Sequence, residues 1–274
     1  MKNAIVCLGF LFACQYDDEV VVDETIESIE TAPETTTCEN IDLAADATNC
    51  GVCGNVCASG LCYSGVCADD RAGHVFVIGH SYRTSNPALD QILGNAVFMR
   101  EGKTVKVLVY RGNAALDVHA GANNALRRAA GAIRRTMSKT VVTSSVAVGI
   151  QLPSFDVLVI EAQPQATNQT LASLANEWSL PIDDHLRRGG IVVVMDAPSA
   201  NDGTSMVLGS TMPMRRETSE PGAVGHVAAH STIAVGRVPM MFALGDSVGY
   251  APSGHTDAVT SDTGHVVVAH RTFY

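Results

Sequence analysis

From Gly73 onward the chain alternates short runs of β-branched residues with stretches whose apolar residues recur at helical spacing. His74-Val75-Phe76-Val77-Ile78 is a continuous apolar run ended by Gly79, which predicts a buried strand. Asn86-Pro87 then offers a helix cap and a first-turn proline. Leu89, Ile92, Leu93, Ala96 and Val97 follow on one helical face, with Gly102 as the stop. Thr104 to Tyr110 predicts a second strand. Residues 122–138 predict a helix with Leu126, Ala130 and Ile133 inward and Arg127, Arg128, Arg134 and Arg135 outward. Asp156 to Ile160 predicts another strand. Thr170 to Leu186 predicts a helix broken at Pro181 and closed by Gly189-Gly190, and Ile191 to Met195 a further strand.

Strands this apolar are buried on both faces, which requires a mostly parallel sheet covered by helices. The β-α-β-α order predicts a doubly wound α/β domain over residues 73–274. Its last third is rich in Gly and Pro. Strand-like pieces there, including Thr232 to Val235 and His265 to Ala269, predict irregular loops and some antiparallel strands at a sheet edge.

The front of the chain has a different pattern. All eight cysteines lie in the first 67 residues, and Cys38, Cys50, Cys53, Cys57, Cys62 and Cys67 share one 30-residue window with few large apolar residues. Such a window cannot bury enough surface to hold a fold and needs covalent staples, which form outside the reducing cytosol. No His lies in the window, so three disulfides are expected rather than a zinc site; six cysteines leave 15 pairings open. The run Asn49-Cys50-Gly51-Val52-Cys53-Gly54-Asn55-Val56-Cys57 resembles the stigma-specific cysteine-rich family. That resemblance implies a small disulfide module over 38–67 without catalytic residues.

Met1-Lys2, the apolar stretch from Ala4 to Ala13 and then Cys14 read as an export signal. Leu11-Phe12-Ala13-Cys14 resembles the bacterial lipobox. This implies a signal peptide over 1–13, cleavage before Cys14 and acylation of its thiol. Gln15 in place of Asp argues, within that family, against retention at the inner membrane. Ten apolar residues are too few to span a bilayer as a helix, which takes about 20. Residues 14–37 are Thr-rich and acidic, and predict a disordered tether. The protein is therefore expected in the bacterial cell envelope, as an outer-membrane lipoprotein held to the membrane by a lipid anchor, or secreted.

The formal net charge of −10 changes this picture only through its distribution. Between Asn3 and Asp70 there are 13 acids and no Lys or Arg, whereas residues 71–274 carry 17 Lys and Arg against 15 Asp and Glu. A near-neutral main domain excludes a nucleic-acid partner on electrostatic grounds. No glycine-rich phosphate loop is present, and no cofactor is expected. Nor is a metal: His226 and His230 are four apart, but no His-Glu-x-x-His occurs.

Asp156-Val-Leu-Val-Ile, the helix after it, and Leu186-Arg-Arg-Gly-Gly-Ile-Val-Val-Val-Met-Asp196 resemble the class I glutamine amidotransferase-like fold. Active members of that family use a Cys nucleophile, and residues 68–274 contain none. In open α/β sheets ligands bind outside the carboxyl ends of the strands. The residues falling there are Gly79-His80-Ser81-Tyr82, Arg111-Gly112-Asn113, Glu161 with Gln163, and Asp196 with Ser199, Asn201 and Asp202. His80, Tyr82, Asn113, Glu161, Asp196 and Asn201 are accordingly the candidate ligand-binding residues. The leading expectation is non-catalytic binding of a small molecule, glycan or protein at the cell surface.

The alternative is hydrolytic. A strand followed by Gly79-His80-Ser81 resembles the first block of the SGNH hydrolases, and Asp262-Thr263-Gly264-His265 their late Asp-x-x-His block. The resemblance implies Ser81 as nucleophile, His265 as base and Asp262 as the group that orients it. His80 stands where that family has Asp. Gly245-Asp246-Ser247 matches the family's name motif but falls near the C-terminus, and is read as a chance match.

Overall fold

The computed structural model describes residues 41–43, 46–57, 62–63, 66–67, 72–100, 104–228, 232–252 and 254–274. The expected signal peptide, Cys14, tether and Cys38 lie outside these residues. Two short strands, β1 (Cys62–Tyr63) and β2 (Val66–Cys67), pair antiparallel in the cysteine-rich window. Cys50 is joined to Cys62, and Cys53 and Cys57 are disulfide-bonded as well. The side chain of Cys67 is outside the described set.

The main domain is α/β, built on one mixed sheet. Its parallel part consists of β3 (Gly73–Ile78), β4 (Thr104–Tyr110), β5 (Thr136–Val142), β6 (Val157–Ile160) and β7 (Ile191–Met195), in the order β3-β7-β6-β4-β5. An antiparallel extension of β8 (Arg216–Ser219), β9 (Val224–Val227), β10 (Met241–Ala243), β11 (Val248–Tyr250), β12 (Thr256–Ser261) and β13 (Val266–Phe273) joins it through β13 against β3. β11 stands off the main path, between β13 and β8.

Side chains alternate across the sheet. Phe76 and Ile78 of β3 enter a core under α1 (Pro87–Val97) and α2 (Leu116–Ala132). Val75 and Val77 enter a second core under α3 (Ser145–Gln151) and α4 (Asn168–Arg187). Helices therefore cover both faces, as continuous apolar strands demand. Asn86 caps α1 by accepting from the backbone N–H of Ala88 and Leu89. Among the described residues no helix is long and apolar enough to cross a membrane.

Three sequence expectations change. The helix placed at 122–138 lies at Leu116–Ala132, and its last residues belong to β5. β5 is an edge strand and half-exposed, so its polar side chains hide the strand pattern. Pro181 does not break α4, which runs through it. The carbonyl such a proline displaces is that of Glu177, on the exposed face, where water can satisfy it. Finally, residues 233–235 form a 3-10 turn rather than a strand.

Candidate active site

The carboxyl ends of the parallel strands are crowded with polar groups, and nearly all are spent on one another. Asp196, just past β7, accepts from the backbone N–H of Ala197 and Thr204 through Oδ1, and from the Tyr250 hydroxyl at 2.8 Å through Oδ2. Burial, with Asp196 beside it, pushes the Tyr250 phenol well above its ordinary range, so it stays a donor. Asn201 donates to the carbonyls of Gln163 and Ala166 and accepts from Gly203 and Ser199. Asn113 gives its backbone N–H to Gln163 Oε1. These side chains build the loops after the strands.

The same holds after β3. His80 is fully buried, with Nδ1 3.0 Å from Ser247 Oγ and its ring edge-on to Tyr82. Burial holds its pKa below the ordinary histidine value. The Tyr82 hydroxyl donates to the Leu89 carbonyl, and the Tyr82 backbone carbonyl lies where any side chain on Gly121 would have to go. Ser81 gives its proton to Asp246 Oδ2 at 2.8 Å. The Gly245-Asp246-Ser247 stretch read as a chance match thus supplies the partners of both His80 and Ser81.

The three residues of the expected triad do not meet. Asp262 exchanges hydrogen bonds with the Val224 backbone, and neither it nor Ser81 bonds to His265. His265 has other company. Its Nδ1 lies 2.7 Å from Glu220 Oε1 and 3.0 Å from the Thr263 hydroxyl oxygen. That hydroxyl donates to Glu220 Oε2. Its oxygen is therefore left to receive a proton from Nδ1, which in the neutral ring leaves Nε2 as the acceptor. Glu220 is buried, while His265 is about one quarter exposed. Gly249 makes the pair possible: a Cβ there would stand 2.5 Å from the His265 Cβ and 2.8 Å from Glu220 Oε1.

His265 opens into a cavity of about 750 Å³ shared with Asp202, Met206, Met214, Arg215, Arg216, Glu217 and Thr218. Arg216 is committed to the carbonyls of Ala197, Ser199 and Asn201, which ties this cavity to the loop leaving β7. The cavity thus lies beyond the carboxyl end of a parallel strand, although antiparallel residues wall it. Glu217 faces Nε2 with Oε2 at 3.5 Å and pairs with Arg215, whose hydrogen bond holds the Glu217 carboxyl below the ordinary range.

A second imidazole–carboxylate pair sits at the end of β6. Glu161, fully enclosed, receives Nδ1 of His119 at 2.8 and 3.0 Å on its two oxygens. Burial raises the Glu161 pKa against the pull of His119. The sequence carried no sign of His119 or Glu220 as partners: each reaches its mate across more than forty residues. For metals, the sulfurs of Cys50, Cys57 and Cys62 are the one group of three or more within ligating reach among the described residues. Cys50 and Cys62 are bonded to each other, which removes them as thiolates.

No protein-family model matches the chain, and no curated protein sequence does. Solved structures similar to part of it include two peptidases. One is a peptidase from an acI-B1 Actinobacterium, at 11% identity over 46% of this chain and 55% of that one, with a TM-score of 0.32. The other is a putative peptidase E protein from Listeria monocytogenes EGD-e, at 12% identity over 48% of this chain and 60% of that one, with a TM-score of 0.30. The chain thus spans a little over half the length of each. The expectation of non-catalytic binding is corrected here: the similar structures are named for peptidases. Likeness at this level assigns no residue a role; that rests on the geometry above.

Proposed function

We propose that the α/β domain is a hydrolase whose general base is His265. The observation that carries this reading is an imidazole 2.7 Å from a buried carboxylate, at the wall of an open cavity. Water is the nucleophile. It attacks the carbonyl carbon of an ester or amide while Nε2 takes its proton. Glu220 stabilises the imidazolium that forms, and the proton is then delivered to the leaving oxygen or nitrogen. Arg215, though paired with Glu217, has further N–H groups at the cavity wall to donate to the oxyanion. The orienting carboxylate is thus Glu220 in place of Asp262. Ser81, enclosed and bonded to Asp246, is not the nucleophile.

The test is turnover of p-nitrophenyl acetate and of a quenched-fluorescence hexapeptide pool by the full chain. His265→Asn is expected to lower kcat by about 100-fold or more, the usual contribution of a positioned base. Unchanged turnover in that variant overturns the assignment. The confinement of the cysteines to the front of the chain supports an exported enzyme, acylated at Cys14. A Cys14→Ser chain that still incorporates a palmitate analogue in bacterial cells would end that part of the proposal.

A further inference from the structure

The strand that walls the cavity has one side with no strand on it. β8 pairs antiparallel with β11 and, among the described residues, with no other strand. The Glu220 N–H donates to the Ser247 carbonyl beside β11. Backbone groups of successive residues point to opposite sides along a strand, so those of Ser219 point away from β11. The Ser219 carbonyl accordingly takes a hydrogen bond from the adjacent Thr218 hydroxyl at 3.0 Å, a local substitute for a ladder bond. Glu217 and Ser219 are both exposed.

An exposed edge with unspent backbone groups is a template for another extended chain. This one coincides with the proposed site. Arg215 to Thr218 line the same cavity as His265, and Glu217 Oε2 lies 3.5 Å from Nε2, so β8 and the imidazole border one space. Met206 and Met214 form part of the wall and, being unbranched and polarizable, adapt to varied side chains. Arg215 and Glu217 carry opposite charges, so the edge selects backbone shape rather than net charge.

We propose that the free edge of β8 docks an extended peptide, which adds to the sheet as a strand and presents a carbonyl to His265. This names the substrate class of the hydrolytic site and rests on that reading for its final step. The four residues of β8 span about 13 Å, so a segment of about four residues fills the edge.

Two readouts keep the ideas apart. The first is amide hydrogen exchange of the full-length His265→Asn chain with the hexapeptide pool present. Protection at residues 216–219 is expected, and it should be lost when alternate peptide amides are N-methylated in both registers. Equal protection by native and methylated pools, or none by either, overturns docking whatever the enzyme does. The second is turnover by the otherwise native chain. Ser219→Pro is expected to lower peptide kcat/KM by about 10-fold more than it lowers p-nitrophenyl acetate turnover. Peptide turnover unaffected by both the proline and N-methylation overturns the edge as the docking site; if Ser219→Pro does not fold, N-methylation alone decides. Absence of all turnover in a chain that still shows backbone-dependent protection sinks the hydrolase and leaves the docking.

Discussion

The two parts of the sheet treat their polar residues in opposite ways. At the ends of the parallel strands, Asp196, Asn201 and Ser81 are enclosed and spend their hydrogen bonds on neighbouring loops. In the antiparallel extension, Glu220 is equally enclosed, but the imidazole it holds opens into a cavity. Both parts contain buried carboxylates. Glu161, at the end of β6, also holds a part-exposed imidazole, that of His119, but it is the imidazole beside Glu220 that lines the cavity with Arg215 to Thr218. The difference is one of access: a carboxylate bonded to its own loops stabilises them, and an imidazole–carboxylate pair next to open space can act on a substrate.

The contrast breaks first at Asp196. Asp196→Ala leaves the Tyr250 hydroxyl and two backbone N–H groups buried without acceptors, each costing about 1–3 kcal/mol. A loss of about 3–9 kcal/mol in urea unfolding is expected. A change under 1 kcal/mol would mean that the loop does not depend on this carboxylate.

Acid offers a second handle. Burial, with Arg100 adding to it at His74, holds His74 at about 4, and burial also holds His185 at about 4. Their folded values lie below the ordinary 6.5, so the unfolded chain binds the extra protons. Stability is then full above pH 6.5, falls between 6.5 and about 4, and loses nothing more from these groups below 4. Each contributes a loss of up to about 3 kcal/mol. His74→Gln with His185→Gln should flatten that slope when urea midpoints are measured from pH 7 to 4. His270, stacked on Phe76 and bonded to Thr232, works in the same direction, since burial and then His74 lower it further.

Smaller effects sharpen the active part. Glu220→Gln keeps the shape but removes the charge that stabilises the imidazolium, and should lower ester turnover by about 10- to 100-fold. Stability should change far less than in Asp196→Ala, and turnover equal to that of the native chain would remove Glu220 from the mechanism. Ser81→Ala marks the lower limit. It should cost about 1 kcal/mol in unfolding from the lost bond to Asp246 and leave turnover unchanged. A complete loss of turnover there would return the hydroxyl to the reaction.

Much of the parallel part was legible because its signals are local. Continuous apolar runs specified β3, β4, β6 and β7; Asn86-Pro87 marked the start of α1; Gly189, at φ 80°, closes α4 where the paired glycines stood. β5 was hidden, since a half-exposed edge strand lacks the apolar run. The polar strand-end residues could also be picked out, because they follow the strands directly. Whether each was open or enclosed could not, since that depends on which loops pack over them. His265 was singled out from a local Asp-x-x-His spacing, and the buried carboxylate nearest its ring lies elsewhere in the chain.

Composition and pattern by themselves determined a chain with its cysteines at the front, a near-neutral α/β domain behind them, and parallel strands with a polar edge. Tertiary structure alone decided that Glu220 rather than Asp262 stands behind His265, that Gly249 leaves room for the pair, and that β8, among the described residues, pairs with β11 alone. The physical reason is range. Periodicity and capping act within a few residues and are written in order along the chain. An imidazole–carboxylate contact joins residues 45 apart in the chain, here His265 and Glu220, and exists only once the sheet has brought their strands together.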